Sequence, residues 1–215
     1  MIYDEDRGLI YVVDDDLDVR QSIETLLRAT GYTVQSFAGA EEFLARDAAE
    51  CPACLILDIR LGDDNGLDLQ QAISESDRSL PVILLSGHPD VPTTVRGMRA
   101  GALTLLTKPF EEEEILKVVE EAINVDRIRR CTDRVHSDLQ GRFSALTRRE
   151  TEIFGLVTAG LMNKQIAGRL ELSEITVKIH RRNMMRKMAA DSLVDLVRMA
   201  DVLGIRYEVS RYNRT

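Results

Sequence analysis

The chain has 215 residues, 44% of them apolar and 30% charged, with a net charge of −8, which leaves room for one large or two modest domains of ordinary composition. No apolar run approaches the roughly 20 residues that cross a bilayer. The N-terminal string MIYDEDRG is acidic and lacks the apolar stretch of a secretory signal, so a cytoplasmic setting without membrane attachment is expected.

The charge is divided along the chain. Residues 1–124 hold 10 Lys+Arg and 25 Asp+Glu, a net of −15, whereas residues 125–215 hold 18 and 11, a net of +7. Such asymmetry suggests two domains with different partners, the basic one suited to a polyanion.

Within the first 125 residues, apolar runs at 9–13, 32–36, 53–57, 81–85 and 102–106 predict strands. Helical patterns fall between them: Val19, Ile23, Leu26 and Leu27; then Ala40, Phe43 and Leu44; then Leu67, Leu69, Ala72 and Ile73; then Val91, Val95, Met98 and Ala102. Gly31, Gly66 and Gly101 mark the joins. Five strand–helix units predict an α/β open parallel sheet. Cys51 and Cys54 form a C-x-x-C ahead of a strand rather than opening a helix, and only Cys131 remains as a third thiol, so neither a redox motif nor a zinc site is expected.

Asp14 and Asp15 follow the first strand, Asp58 follows the third, and Lys108 follows the fifth by one residue, with Pro109 next. Strand ends on one edge of such a sheet meet in a crevice. Three carboxylates there repel one another unless a cation lies among them, which is the chemistry of a Mg²⁺-assisted phosphoryl acceptor.

From Glu111 to Gln140 there is neither Gly nor Pro. Ile115, Val118, Ala122 and Val125, then Ile128, Cys131, Val135 and Leu139, predict a last helix that continues as a linker and ends at Gly141. The linker is either a short coiled coil with a second copy or a single solvated helix. A helical set follows. Thr147 and Glu150 form a capping box, Asn163 is placed to cap a second helix, Ser173 a third and Ser192 a fourth, with Glu171 and Leu172 as the tight turn between the second and third.

The strings VVDDD, LILDIRL, Asn65-Gly66, LLSGH, AGA at 100–102 and KPF make residues 9–125 resemble a two-component receiver domain, and residues 144–206 resemble a LuxR-type helix-turn-helix. The whole chain resembles the NarL/FixJ family of response regulators. That resemblance implies a flavodoxin-like, doubly wound, five-stranded parallel receiver of order 2-1-3-4-5 (residues 1–124), a helical linker (125–143) and an all-α four-helix DNA-binding domain (144–215). It implies that Asp58 accepts a phosphoryl group from a sensor histidine kinase, with self-phosphotransfer and autodephosphorylation as the only chemistry. Asp15 and Asp58 are expected as direct Mg²⁺ ligands and Asp14 through a water; the resemblance adds the Arg60 backbone carbonyl. Lys108 and Ser86 would contact phosphoryl oxygens, and Asp16 is read as a spare, solvent-facing carboxylate. The family places a cis peptide before Pro109.

The third C-terminal helix, ITVKIHRRNMMRKM, suits a major groove. The resemblance points to Lys178, Ile179 and Arg182 as base-facing; Thr176, Lys164, Arg181 and Lys187 are assigned to phosphates. His180 is read as packing or phosphate-contacting. The fourth helix pairs two DNA-binding modules in this family, which implies a homodimer on phosphorylation, an inverted-repeat double-stranded site and RNA polymerase as the downstream partner.

Two positions depart from the family: Gly62 where Pro is usual and Leu105 where an aromatic is usual. They keep open an orphan regulator that binds DNA without phosphorylation. A third reading, a haloacid-dehalogenase-like phosphatase built on Asp14-x-Asp16, leaves Asp58, Lys108 and the helix-turn-helix without a role.

Overall fold

The computed structural model describes residues 7–62, 64–75, 80–88 and 90–205. The acidic N-terminal string up to Asp6, Asp63 and the stretch from 206 onward lie outside them. The chain divides into two compact units, one up to Arg130 and one from Cys131.

In the first unit, strands and helices alternate: β1 (Leu9–Val13), α1 (Leu17–Ala29), β2 (Thr33–Phe37), α2 (Ala40–Leu44), β3 (Ala53–Asp58), then a two-stranded hairpin of β4 (Arg60–Leu61) and β5 (Asp64–Asn65), α3 (Gly66–Ser74), β6 (Val82–Ser86), α4 (Val91–Arg99), β7 (Thr104–Thr107) and the first part of the long α5 (Glu112–Ser144), whose residues from Cys131 belong to the second unit. The main sheet is parallel with order β2-β1-β3-β6-β7. Counting its five strands alone, this is the expected 2-1-3-4-5; the hairpin is the addition. The three central strands, β1, β3 and β6, are nearly continuous apolar runs because both their faces are covered, whereas the edge strands β2 and β7 are only half-buried. Tyr11, Leu55, Leu57 and Leu84 face one apolar cluster, and Ile10, Val12, Ile56 and Ile83 face the other, which α1 and α5 complete with Ile23, Leu27, Ile115 and Val119. Cys54 belongs to the second cluster and Cys51 packs against the first, so the C-x-x-C thiols lie on opposite sides of the sheet. Burial pushes the Cys54 thiol pKa far up, which leaves it inert.

One expectation about the long helix is corrected. Gly141 does not end α5, which runs to Ser144. A glycine inside a helix costs only about 1 kcal/mol relative to Ala, and Phe143 just beyond it packs edge-on to Phe154 with ring centroids 5.2 Å apart. Residues 131–138 of α5 are all solvent-exposed. On α4 the apolar stripe turns outward: Val91, Val95 and Met98 are exposed, and the helix is seated instead by Gly97, where a Cβ would come within 2.4 Å of Leu84.

The second unit holds α6 (Arg148–Thr158), α7 (Asn163–Leu170), α8 (Glu174–Met188) and α9 (Leu193–Val202) around Ile153, Phe154, Ile166, Val177, Met184, Met188 and Leu196. Thr147 and Glu150 form the capping box of α6, and Ser173 and Ser192 cap α8 and α9. Asn163 is not the cap of α7. Met162 occupies that position, its backbone N–H donating to Gln165 Oε1 at 2.8 Å, while the Asn163 side chain accepts from Arg181 Nη1 at 3.0 Å. The turn into α8 passes through Glu171 in the left-handed region, φ 55°. No helix among the described residues is long and apolar enough to cross a membrane.

Candidate phosphoryl and nucleic-acid sites

Register builds the first site. Val13 pairs with Leu57, Asp58 with Leu85, and Ser86 with Thr107. The residues that leave these strands, Asp14, Asp58 and Lys108, therefore emerge side by side at the C-terminal edge of the sheet. Lys108 N–H donates to the Ser86 carbonyl at 2.8 Å, and the Lys108–Pro109 peptide is cis. Ser86 is buried.

Asp14 is fully buried and Asp58 nearly so, while Asp15 is exposed. A carboxylate oxygen from each lies within 4.8 Å of the others, and among the described residues this is the one such acidic group. Lys108 Nζ donates to Asp14 Oδ2 at 2.6 Å and also to Asp58 Oδ2. The remaining oxygens are met by backbone: Asp16 N–H donates to Asp14 Oδ1 and Arg60 N–H to Asp58 Oδ1, each at 2.9 Å. Burial, the largest influence on Asp14, pushes its carboxyl pKa up against the hydrogen bonds from Lys108 and Asp16, and the Asp58 charge adds to the rise. Burial would depress the Lys108 pKa, but its hydrogen bonds to Asp14 and Asp58 outweigh this and raise it. One ammonium opposes three carboxylates, so the site has a charge deficit that a hard dication with oxygen ligands would offset.

Asp16 is exposed but not spare: its Oδ1 accepts from the Asp18 and Val19 N–H groups and so caps α1. Gly66 is required by contact, since a Cβ there would lie 2.0 Å from the Asp58 carbonyl oxygen. Gly62 adopts φ +59°, a conformation closed to the proline that the family pattern would place there. Leu105 is half-buried against the first apolar cluster.

Sequence reasoning missed Asp126. It is fully buried in α5. Its Oδ2 accepts from the Ala53 N–H at 2.9 Å and Arg130 Nε at 2.6 Å, and its Oδ1 accepts from Arg129 Nη2 at 2.6 Å. It therefore fastens α5 to the start of the strand that carries Asp58 at its far end. The string DRIRR held the signal, with Arg at i+3 and i+4 from Asp, and residues 126–130 belong to the first compact unit.

In the second unit, Lys178, Ile179, Arg182 and Arg186 are exposed along α8, opposite the buried Val177, Met184 and Met188, and Lys164 is exposed on α7. Thr176 shares a hydrogen bond with the capping Ser173, 2.8 Å between hydroxyl oxygens, and Arg181 braces α7. Lys187 is corrected: its Nζ turns inward to donate to Glu150 Oε2 at 2.6 Å and the Ala145 carbonyl at 3.1 Å, which ties the end of α8 to the capping box. Burial alone would raise the Glu150 pKa, but the hydrogen bonds from Lys187 and Thr147 outweigh it and lower it.

Residues 10–120 match the response regulator receiver domain and residues 144–200 the luxR family of bacterial regulatory proteins. Nodulation protein W of Bradyrhizobium diazoefficiens is 43% identical over 199 residues, covering 93% of this chain and 88% of that protein. Transcriptional regulatory protein FixJ of the same organism is 34% identical over 199 residues, covering 93% and 97%. The solved structure of response regulator StyR superposes with a TM-score of 0.83 at 39% identity, covering 91% of this chain and 98% of that one. The chain thus belongs to the NarL/FixJ family of two-component response regulators, a receiver domain joined to a LuxR-type DNA-binding domain.

Proposed function

We propose that Asp58 is the phosphoacceptor of a sensor histidine kinase and that its phosphorylation drives dimerisation and transcription control at an inverted-repeat DNA site. The observation that carries this reading is Lys108 Nζ bridging Asp14 and Asp58 beside Asp15. An Asp58 carboxylate oxygen attacks phosphorus, the P–N bond to the kinase histidine breaks, and that imidazole takes up a proton. Lys108 holds charge on a phosphoryl oxygen, and the Ser86 hydroxyl donates to another. Asp15, Asp58 and the Arg60 carbonyl would hold Mg²⁺ directly, and Asp14 through a water. When bound, Mg²⁺ offsets charge on the transferring phosphoryl group. The protein turns over no external phosphoester.

The domain limits that suit this cycle are 1–124 for the receiver, 125–143 for the linker and 144–215 for the DNA-binding domain, in a cytoplasmic protein. Exposed Val91, Val95 and Met98 supply apolar surface that pairing would bury. Lys178, Ile179 and Arg182 face bases, and Lys164, Arg181 and Thr176 face phosphates. RNA polymerase is the partner that reads the outcome.

Sedimentation with Mg²⁺, with and without the phosphoryl mimic beryllofluoride, tests this. The expected result is monomer turning to dimer in the native chain and not in Asp58→Ala. An unchanged mass in the folded native chain overturns the dimer switch. Gly62 and Leu105 favour a second reading, a regulator that binds DNA without phosphorylation, which predicts equal DNA affinity for the native chain and Asp58→Ala.

A further inference from the structure

The outward face of α8 carries more than cations. Ile175 is 71% exposed and Ile179 is 56% exposed. They are one helical turn apart and therefore neighbours on the surface. Neither belongs to the apolar core of the second unit. Lys178, Arg182 and Arg186 share their face. A single exposed isoleucine is ordinary. Two β-branched residues stacked among three cations are less so, since branching disfavours the helix and neither side chain repays that through the core.

We propose that Ile175 and Ile179 form an apolar reader of thymine 5-methyl groups in the DNA major groove, with Ile175 an additional specificity residue. This rests on α8 being the helix that enters DNA. In the major groove the thymine methyl is the apolar feature that separates T·A from C·G, and apolar side chains recognise it by contact. The cations of the same stripe reach phosphates and guanine edges, and the isoleucines between them supply what the cations cannot: discrimination of a methyl by burial. A second copy of this face is a poor occupant, because Lys178, Arg182 and Arg186 would meet their own likeness.

The test uses the full chain with Mg²⁺ and beryllofluoride. A preferred duplex is selected from random DNA. Its affinity is then compared with the same duplex carrying deoxyuridine, which lacks only the methyl, at one thymine at a time. Burying one methyl is worth roughly fourfold in affinity. The expected result is a loss of that size at one or two thymines of each half-site. Ile175→Ser and Ile179→Ser should bind the thymine and deoxyuridine duplexes alike, so that variant and base change are not additive. Their melting temperatures and salt dependence should match the native chain, because neither residue is in the core or charged. Equal affinity for thymine and deoxyuridine at every position, with a preferred duplex still bound, overturns the proposal alone. So does a small loss spread evenly over all thymines, which reports DNA shape instead. Failure to select any duplex overturns both the proposal and the DNA-facing reading of α8.

Discussion

The acid pocket of the first unit joins Lys108 to carboxylates 50 and 94 positions away along the chain, and its charges are mostly buried. The cationic stripe of the second unit lies on α8 alone and is open to solvent. In the pocket, Asp14, Asp58 and Lys108 depend on strand register, and backbone N–H groups meet the second oxygen of each buried carboxylate. In the stripe, each side chain depends only on the phase of one capped helix. Changes to backbone or buried partners should therefore be severe in the first case, and changes to exposed side chains should alter binding with little effect on folding.

Gly66→Ala is the strongest way to break the pocket. The added methyl would lie 2.0 Å from the Asp58 carbonyl oxygen, so β3 and α3 must separate. The expected cost is at least about 3 kcal/mol, together with loss of the beryllofluoride response, read by thermal melting and sedimentation. Unchanged melting would mean the junction is far looser than the hydrogen bond from Gly66 N–H to the Ile59 carbonyl implies.

Among the described residues the second unit has one buried charge, Glu150, and it should behave like the pocket rather than the stripe. Glu150→Gln removes the negative charge that faces Lys187 and is expected to cost about 2–3 kcal/mol. Folding lowers the Glu150 pKa below its ordinary 4.5. Its stabilising contribution is therefore complete above that value and is lost as pH falls through and below it. The gap in melting temperature between the native chain and Glu150→Gln should be full at pH 7 and should narrow below about pH 4.5. A gap independent of pH would assign the cost to packing instead.

Gly62→Pro restores the residue usual in the family, yet Gly62 adopts φ +59° and proline is fixed near −65°. The expected effect is a loss of about 1–2 kcal/mol, measured by melting; a gain would show that the loop takes another conformation in solution.

Much of this was legible in the sequence where one physical rule dominated. Continuous apolar runs ending in Asp or Lys gave the strands and the convergence of Asp14, Asp58 and Lys108, since a doubly covered parallel sheet buries both faces. Thr147, Ser173 and Ser192 were readable because a cap is local. The errors came where several contacts compete. Gly141 reads as a helix end, but Phe143 packing on Phe154 carries α5 past it. Val91, Val95 and Met98 read as a helix, which α4 is, but periodicity does not say which side of a helix meets the sheet, and Gly97 decided it. Asp126 was missed and Lys187 was assigned to phosphate because a charge reads as outward-facing unless its buried partner, here the Ala53 N–H or Glu150, is already in view.

The smallest effect belongs to the exposed cations and separates the two regions most cleanly. Lys164 is exposed on α7, near the start of the helix-turn-helix. Lys164→Ala should change stability by less than about 0.5 kcal/mol. It should weaken binding to all DNA sequences alike and reduce the slope of log affinity against log salt by about 1, as loss of one phosphate contact requires. Arg182→Ala, on the stripe itself, should relax base preference at one position of each half-site as well. If Lys164→Ala altered sequence preference while leaving the salt slope unchanged, α7 and not only α8 would be reaching base edges, and the division of the unit into a positioning helix and a reading helix would have to be redrawn.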